Sequence, residues 1–423
     1  MSPSNKKGLA SNTAALLSLQ LANYILPLLV TPYLTRTLGI SIYGVVAFGL
    51  AISQIACIIT DYGFNLSATY QIAKESDNKE QIRKICGAVF TCKVILLIPV
   101  LFLLSAFIHF STNYNEYHDY FWLLLLPIIG QTFQPTWLFQ GIEKMAYMTI
   151  FTVTSRICVL GLTIIFVAGP QDYSFVAITT GLANIFAALI GIAFMLKLGY
   201  SPSWSSWSFT RKIFDESTEF FWSRAALASY TAGTTFFLGI FSTPVQVAYY
   251  AAAEQLYKGA QSFITPLTQA LYPYMARNKD VSLFAKILKY TVLLSILGCV
   301  AGVLIGKQVL ALIFGHSFID AYPTLILFML LFLITTPSVL LGYPFLGALG
   351  DTKTANRSVI YAGLVQITLL LICYLLELKL AVQVLATTLI AEAFVLTFRG
   401  YKAVQIGKQL SNPGESDSPA LAK

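Results

Sequence analysis

Charged residues are scarce in this sequence, at 11% of 423 positions, whereas an ordinary soluble domain has about a quarter of its residues charged. Hydrophobic residues make up 57% of the chain, and the mean hydropathy is +0.71. This composition excludes a soluble globular protein and indicates an integral membrane protein. Segments of alternating strand character are also missing, so the apolar segments predict membrane-spanning helices.

Several functional signatures are missing as well. The three histidines fall at helix ends without other ligands at metal spacing, and the six cysteines fall within or beside predicted helices, where we interpret them as packing residues. The chain has no P-loop, no dinucleotide-binding glycine motif and no nucleophile elbow. We therefore expect no metal, no cofactor, no catalytic residue and no ATP-driven transport within this chain.

The apolar segments give about twelve spans long enough to cross the roughly 30 Å hydrocarbon core. Of the basic residues outside these spans, all but Arg36, Lys307 and Lys379 fall on the side of the two termini, and Arg399 is counted with this majority. The positive-inside rule then predicts cytoplasmic termini, and it explains the basic net charge without a nucleic-acid partner. The predicted spans are 11–35, 41–62, 85–108, 119–141, 146–168, 173–196, 219–241, 246–274, 285–306, 321–346, 356–377 and 380–400.

The longest predicted cytoplasmic connection divides the chain into two halves. We predict an N-terminal lobe over 1–200, a connecting segment over 201–218, a C-terminal lobe over 219–400 and a cytoplasmic tail over 401–423. A short repeat, IAKESD at 72–77 and MARNKD at 275–280, favours this division. Transporters built from paired halves bind substrate between them. The expected fold is therefore all-α and polytopic, with two six-helix lobes around a central cavity.

A few charged residues lie deep inside the predicted spans. Each would cost roughly 2.5 to 3.5 kcal/mol at a lipid-facing helix centre, so we expect them to face the bundle interior or an aqueous cavity. Arg156 and Lys258 lie closest to the bilayer midplane, whereas the shallower Arg224 could also extend to the headgroups. The deep basic residues are Lys93, Arg156, Arg224 and Lys258, and the deep acidic residues are Glu254 and Glu392.

A cavity with more basic than acidic residues favours an anionic ligand, and an arginine fork is well suited to phosphate. Glu254 and Lys258 are four residues apart, which on a helix predicts an ion pair. Mutual neutralisation is the structural alternative for this pair. Glu392 could be the partner of Arg156, a proton or cation site, or a polar packing residue, and the sequence leaves these three roles open.

Three stretches carry a resemblance to a known family. PYLTRTLGISIYG (32–44), DYGFNLSATYQIAKESD (61–77) and PTWLFQGIEKM (135–145) resemble the O-antigen flippases, polysaccharide transporters of the multidrug/oligosaccharidyl-lipid/polysaccharide exporter superfamily. The family's basic residue after the first span matches Arg36, and its aspartate after the second span matches Asp61. The third stretch supplies the motif residues Trp137, Gln140, Gly141 and Glu143.

The resemblance implies a carrier in the bacterial inner membrane that moves undecaprenyl-diphosphate-linked oligosaccharide repeat units from the cytoplasmic to the periplasmic leaflet by alternating access. It also implies basic lumen residues that meet the diphosphate, for which we expect Arg156 and Lys258, helped by Lys93 and Arg224. The charge-tuning or coupling residues would be Glu254, Glu392 and Asp61. Expected partners are membrane lipids, a coupling proton or sodium ion, and O-antigen assembly proteins.

Three other functions compete with this one. A multidrug exporter of the same superfamily should have an acidic cavity for its cationic substrates, but the deep charges here are mainly basic. A membrane-embedded polysaccharide polymerase or ligase should carry a sizeable outer loop, and the predicted outer loops are short. A scaffold that transports nothing would leave the charges near the midplane unexplained.

Overall fold

The computed structural model describes residues 3–75, 78–229 and 231–411, and this part of the chain is helical without a strand. Short 3-10 turns at 112–117, 170–172 and 316–321 join some of the helices. The helices are α1 Pro3–Asp61, α2 Phe64–Lys74, α3 Lys79–Phe110, α4 His118–Leu123, α5 Leu125–Thr132, α6 Thr136–Gly141, α7 Met145–Phe166, α8 Tyr173–Lys197, α9 Trp207–Ser229, α10 Ala232–Phe241, α11 Pro244–Gln261, α12 Ile264–Asn278, α13 Val281–Phe314, α14 Tyr322–Leu340, continued by a π-helical segment Leu341–Gly347, α15 Thr352–Leu375 and α16 Ala381–Ser411.

Eight helical segments of the described chain are long and apolar enough to cross a membrane. Helix α1 covers the first two spans and turns sharply at Gly39, whose φ of 73° is readily adopted only by glycine. The fourth, seventh and eighth spans are broken into α4 to α6, α9 and α10, and α11 and α12. Counting these broken spans, the chain is an all-α, multi-pass membrane protein whose described residues form twelve spans.

Two helices extend beyond the predicted boundaries. Helix α9 begins at Trp207, inside the segment 201–218 that we interpreted as a connection, so the non-helical connection is 198–206. Helix α16 continues to Ser411, well into the predicted tail 401–423. The rest of that tail, 412–423, lies outside the described residues. The division into two lobes remains a prediction.

The repeat at 72–77 and 275–280 lies where one helix ends and the next begins. Asn78 caps the start of α3, since its Oδ1 accepts a hydrogen bond from the backbone N–H of Gln81 at 3.1 Å. Asp280 caps α13 in the same way, accepting from the N–H of Leu283 at 2.9 Å. Positions 76 and 77 of the first copy lie outside the described residues. Both halves therefore use a side-chain cap at this point of the chain.

The bundle has two ends, which we name after a residue at each. The Arg36 end contains the connections at 111–117, 167–172, 242–243, 315–321 and 376–380, and the Asp61 end contains those at 62–63, 133–135, 142–144, 198–206, 279–280 and 348–351. At the Arg36 end, one buried apolar cluster combines residues from both halves of the chain, such as Phe48, Tyr114, Leu238 and Phe318.

The Asp61 end is organised differently. One buried cluster there contains only residues up to Ile213, such as Phe64 and Trp137. A second contains only residues from Leu271 onward, such as Phe345. The two halves therefore share one core at the Arg36 end, whereas at the Asp61 end there are two clusters, the first of which also includes Ile213 of α9. Helix α9 contacts the first half here, since Phe221 stacks on Tyr62 with ring centroids 4.5 Å apart.

Candidate functional site

Three adjoining cavities run through the interior of the bundle. The N-half cavity has a volume of about 410 Å³ and is lined by α1, α3, α5, α7 and neighbouring helices. A central cavity of about 250 Å³ lies between α1, α7 and α11. The C-half cavity, of about 550 Å³, is lined by α11, α12, α14 and α16, among others. Arg156 lines the first two, and Glu254 and Lys258 line the last two, so the three walls are continuous.

The cavity walls contain every deep charge that the sequence singles out. Basic side chains outnumber acidic ones, which gives the combined lumen a formal positive charge. The basic residues are Lys93, Arg156, Arg224, Lys258 and Arg399, and the acidic residues are Asp61, Glu254 and Glu392. The N-half cavity has three basic residues and one acidic residue in its wall, whereas the C-half cavity has two of each.

Lys93 is the most deeply buried of the basic residues in the N-half cavity, with 3% of its surface exposed. Its ammonium group donates a hydrogen bond to the backbone carbonyl of Thr132 at 2.7 Å. Asp61 interacts electrostatically with Lys93 and with the more exposed Arg224. Among the described residues, the buried Oδ1 of Asp61 has no hydrogen-bond partner. The N-half cavity therefore holds an incompletely satisfied carboxylate beside two cations.

Arg156 lies where the N-half and central cavities meet. Its Nε donates a long hydrogen bond to Oδ1 of Asn23 at 3.4 Å, and we find no ion pair of this guanidinium in the described part of the chain. The preceding residue, Ser155, donates to Oδ1 of Asn184 at 3.0 Å, which ties α7 to α8 at this level. The remaining nitrogens of Arg156 can therefore bind an anion in the cavity.

Glu254 and Lys258 form the ion pair that their spacing on α11 predicts, with Oε2 and Nζ 2.9 Å apart. The two side chains differ in accessibility, because 14% of Glu254 but 43% of Lys258 is exposed. Lys258 lies in the last turn of α11, just before the break at 262–263 that separates α11 from α12. Its ammonium group thus remains accessible from the lumen although it is paired.

Arg399 corrects one of our predictions. We counted it among the cytoplasmic loop charges, but it is 7% exposed and lines the C-half cavity. Its guanidinium donates to the carbonyl of Ser338 at 2.8 Å, to the carbonyl of Ala355 at 3.3 Å and to the hydroxyl of Ser358 at 2.9 Å. The reason is that α16 continues to Ser411, so Arg399 lies within the helix and not at its end.

Glu392 lies in the C-half cavity and interacts with Arg399. Arg156 lines the other two cavities, so the interpretation of Glu392 as the partner of Arg156 is wrong. Helical spacing could have revealed the correct neighbour, because Thr388, Glu392, Val395 and Arg399 recur at intervals of three or four residues and all line this cavity.

The motif residues of the third stretch mostly support packing. Trp137 is fully buried, and its backbone carbonyl accepts a hydrogen bond from the Thr69 hydroxyl at 3.1 Å. A Cβ on Gly141 would come within 2.7 Å of Ile72, so glycine is needed where α6 meets α2. Gln140 and Thr136 are the residues of this stretch that line the N-half cavity. Glu143 adopts a left-handed φ of 57° in the turn before α7.

Arg36 lies at the opposite end of the bundle from Asp61. Its guanidinium donates hydrogen bonds to the backbone carbonyls of Leu312 and Ile313, at the C-terminus of α13. This contact joins the first half of the chain to the second. The structure therefore places Arg36 at a contact between the two halves and not in the described walls of the three cavities.

Comparisons with known proteins agree with this architecture. The chain is 29% identical over 403 residues to a protein of Escherichia coli (strain K12) named "Putative O-antigen transporter", covering 93% of this chain and 97% of the relative. Its fold is similar to an inward-facing multidrug resistance MATE family transporter of the MOP superfamily, with a TM-score of 0.69, 14% identity and coverage of 96% and 100% of the two chains.

The fold is also similar to the lipid II flippase MurJ in an inward closed conformation, with a TM-score of 0.70 and 13% identity, covering 97% of this chain and 94% of that one. At these identities the two solved structures establish the fold alone. The family model described as "Polysaccharide biosynthesis protein" matches residues 9–279, which is more than half of the chain. The chain therefore belongs to the polysaccharide biosynthesis protein family.

Proposed function

We propose that the protein is a flippase that moves undecaprenyl-diphosphate-linked O-antigen repeat units from the cytoplasmic to the periplasmic leaflet. The observation that carries this proposal is the continuous, net basic lumen, to which both halves of the chain contribute. A diphosphate and its sugars cannot cross hydrocarbon unaided, because their polar groups would lose water without replacement. The name of the E. coli relative supports an O-antigen substrate.

Within this proposal, Arg156 and Lys258 hold the diphosphate. They come from different halves of the chain, both line the central cavity, and both expose cationic groups to it. Lys93 and Arg224 add positive potential from the N-half cavity. Glu254 positions Lys258 through its 2.9 Å ion pair. A ligand with two phosphates can compete for Lys258, since charge-assisted hydrogen bonds to phosphate are among the strongest available.

The asymmetry of the two ends supports alternating access as the mechanism. Both halves share a buried core at the Arg36 end, whereas at the Asp61 end their buried clusters are separate except where α9 packs on the first half. With both termini in the cytoplasm, as the loop charges predict, this state is closed toward the periplasm. A second state would separate the halves at the Arg36 end. Asp61, Glu254 and Glu392 are the lumen carboxylates that could carry a coupling proton or bind a sodium ion.

The proposal is tested by replacing Arg156 and Lys258 with alanine together, in a strain that lacks its own copy of the gene. Losing charge-assisted hydrogen bonds worth roughly 1.5 to 3 kcal/mol each should reduce O-antigen assembly roughly tenfold or more. Lipid-linked repeat units should then accumulate in the cytoplasmic leaflet. The matched control replaces Lys286 and Lys289, two exposed basic residues of α13, which removes the same charge. Wild-type assembly at normal protein abundance in the Arg156 and Lys258 variant would refute the proposal.

The same variants also address the multidrug alternative. A lumen for cationic drugs should work better once two of its cations are removed. Ethidium efflux from cells that express the double variant would then exceed efflux from cells with the wild-type protein. We expect no ethidium efflux from either.

A further inference from the structure

The C-half cavity differs from the N-half cavity in its aromatic content. Four tyrosines line the C-half cavity, whereas the described wall of the N-half cavity contains no aromatic ring. Two of the four, Tyr250 and Tyr257, are buried in the wall and pack against Phe328 at centroid distances of 5.1 and 5.2 Å. The other two, Tyr272 and Tyr343, are 40% and 47% exposed, and their rings meet edge to face at 6.3 Å.

The two cavities also differ in charge. In the C-half cavity each acid has a basic neighbour, Glu254 with Lys258 and Glu392 with Arg399. The N-half and central cavities hold the excess of positive charge. An anionic group is therefore attracted to the level of Arg156 and Lys258, while the C-half cavity suits a ligand that is polar but uncharged overall.

Sugars have this character. The C–H face of a sugar ring packs on an aromatic face, and its hydroxyls pair with carboxylates and amides, which offer several acceptors or donors in one plane. Tyr272 and Gln269 are three residues apart on α12, so they lie on one face of the helix, and both line the cavity together with Glu392. A volume of about 550 Å³ is within the range of about 300 to 1,000 Å³ that small-molecule sites occupy.

We propose that the C-half cavity binds the sugar residues closest to the diphosphate, with Tyr272 as the stacking platform. The geometry connects the two parts of the ligand, because Lys258 lines both the central cavity and the C-half cavity. A diphosphate held by Arg156 and Lys258 places the first sugars next to the wall formed by Tyr272, Gln269 and Glu392. This subsite rests on the proposed function. Through it the protein recognises the glycan as well as the lipid carrier.

The test compares two lipids on the full-length protein in nanodiscs. One is undecaprenyl diphosphate, which has no sugar, and the other is the lipid-linked repeat unit extracted from the producing strain. Tyr272→Ala should weaken binding of the glycosylated lipid roughly three- to tenfold, as expected for one lost aromatic contact, and should leave the sugar-free lipid unchanged. Tyr272→Phe keeps the ring and should retain the wild-type affinity for both lipids.

The matched control is Tyr274→Ala, which changes a tyrosine of the same helix with the same 40% exposure that lies outside the described wall of the cavity. Gln269→Ala provides an independent probe of the same face and should show the same selective loss. The subsite is overturned if Tyr272→Ala and Gln269→Ala weaken both lipids equally or neither. If the wild-type protein binds neither lipid, the proposed function is overturned together with the subsite. If it binds both with one affinity, only the subsite is overturned.

Discussion

Gly44 lies so close to Pro244 that a Cβ at position 44 would come within 1.8 Å of the Pro244 carbonyl oxygen. These two residues belong to different halves of the chain and meet at the Arg36 end, where α11 begins. A backbone atom cannot move aside as a flexible side chain can. Glycine at position 44 is therefore required for the close approach of the halves in this state.

We predict that Gly44→Ala destabilises the closed Arg36 end. The added methyl group must push the backbone of α11 away, and overpacking of this kind costs roughly 1 to 3 kcal/mol. Hydrogen exchange of the purified protein should accelerate in the peptides that cover 40–48 and 236–246. The control is Gly161→Ala, because a Cβ at Gly161 of α7 would meet no atom within 4 Å. Equal exchange in both variants would contradict this role of Gly44.

Arg36 adds a polar contact to the same closed end. Because its guanidinium binds carbonyls at the C-terminus of α13, it interacts favourably with the negative end of the helix dipole. Arg36 is exposed, so we expect Arg36→Gln to cost only roughly 0.3 to 1 kcal/mol.

Hydrogen exchange over 308–316 measures this effect, and Arg36→Lys should show an intermediate increase. Lys379→Gln is the control, since Lys379 is another basic residue of this end and pairs with Glu377 of its own loop at 3.6 Å. If Lys379→Gln loosened 308–316 as much as Arg36→Gln, the effect would come from net charge and not from the contact with α13.

The sequence predicted the all-α architecture and the deep charges because both follow from the low polarity of the bilayer. A buried charge such as Lys93 stands out in an apolar segment by its cost alone, and an i,i+4 pair such as Glu254 and Lys258 depends only on helix geometry. These inferences required no knowledge of how the helices pack against one another.

Arg399 shows where this reasoning fails. A basic residue near the predicted end of a span can be stabilised either by water in the cytoplasm or by hydrogen-bond acceptors in a buried site. The hydropathy of the sequence does not distinguish these two environments. Two of the acceptors of Arg399 are the carbonyls of Ser338 and Ala355, which belong to distant parts of the chain. The breaks inside the fourth and eighth spans have a local cause, since they lie at or just before Pro127, Pro135 and Pro266, and a proline removes a backbone N–H and clashes with the preceding helical turn.

Asp61 and Lys93 offer a direct test of electrostatic coupling in the N-half cavity. Removing one charge of a buried interacting pair leaves the other charge uncompensated, which costs roughly 3 to 5 kcal/mol. We predict that Asp61→Asn and Lys93→Met each lower the unfolding temperature, and that the double variant is less destabilised than the sum of the two. An interaction energy of about 0.5 to 3 kcal/mol is expected for such neighbours.

Thermal unfolding in detergent would measure this cycle, with Arg224→Gln as the comparison. Arg224 also interacts with Asp61 but is exposed, so its coupling energy with Asp61 should be the smaller of the two. Strict additivity of Asp61→Asn and Lys93→Met would show that the two groups do not interact in the folded protein.

Arg399 should act mainly through stability. The hydrogen bonds of its guanidinium to Ser338, Ala355 and Ser358 join the end of α14 to α15 and α16, and a Cβ on Gly342 would come within 2.9 Å of its Nη1. We predict that Arg399→Gln lowers the free energy of unfolding by roughly 3 to 5 kcal/mol, because buried acceptors lose a charged partner and Glu392 loses a cationic neighbour. Arg399→Lys should restore little of this, since an ammonium group cannot span acceptors on three segments as the planar fork does.

Gly342→Ala should lower the unfolding temperature in the same direction by displacing the guanidinium. Lys402→Gln, one turn further along α16 and only partly exposed, controls for loss of a basic charge on this helix and should be nearly neutral. The decisive comparison is between stability and ligand binding. If Arg399→Gln left the unfolding temperature unchanged but weakened the binding of undecaprenyl diphosphate, Arg399 would belong with Arg156 and Lys258 as a phosphate ligand, and its structural role would be refuted.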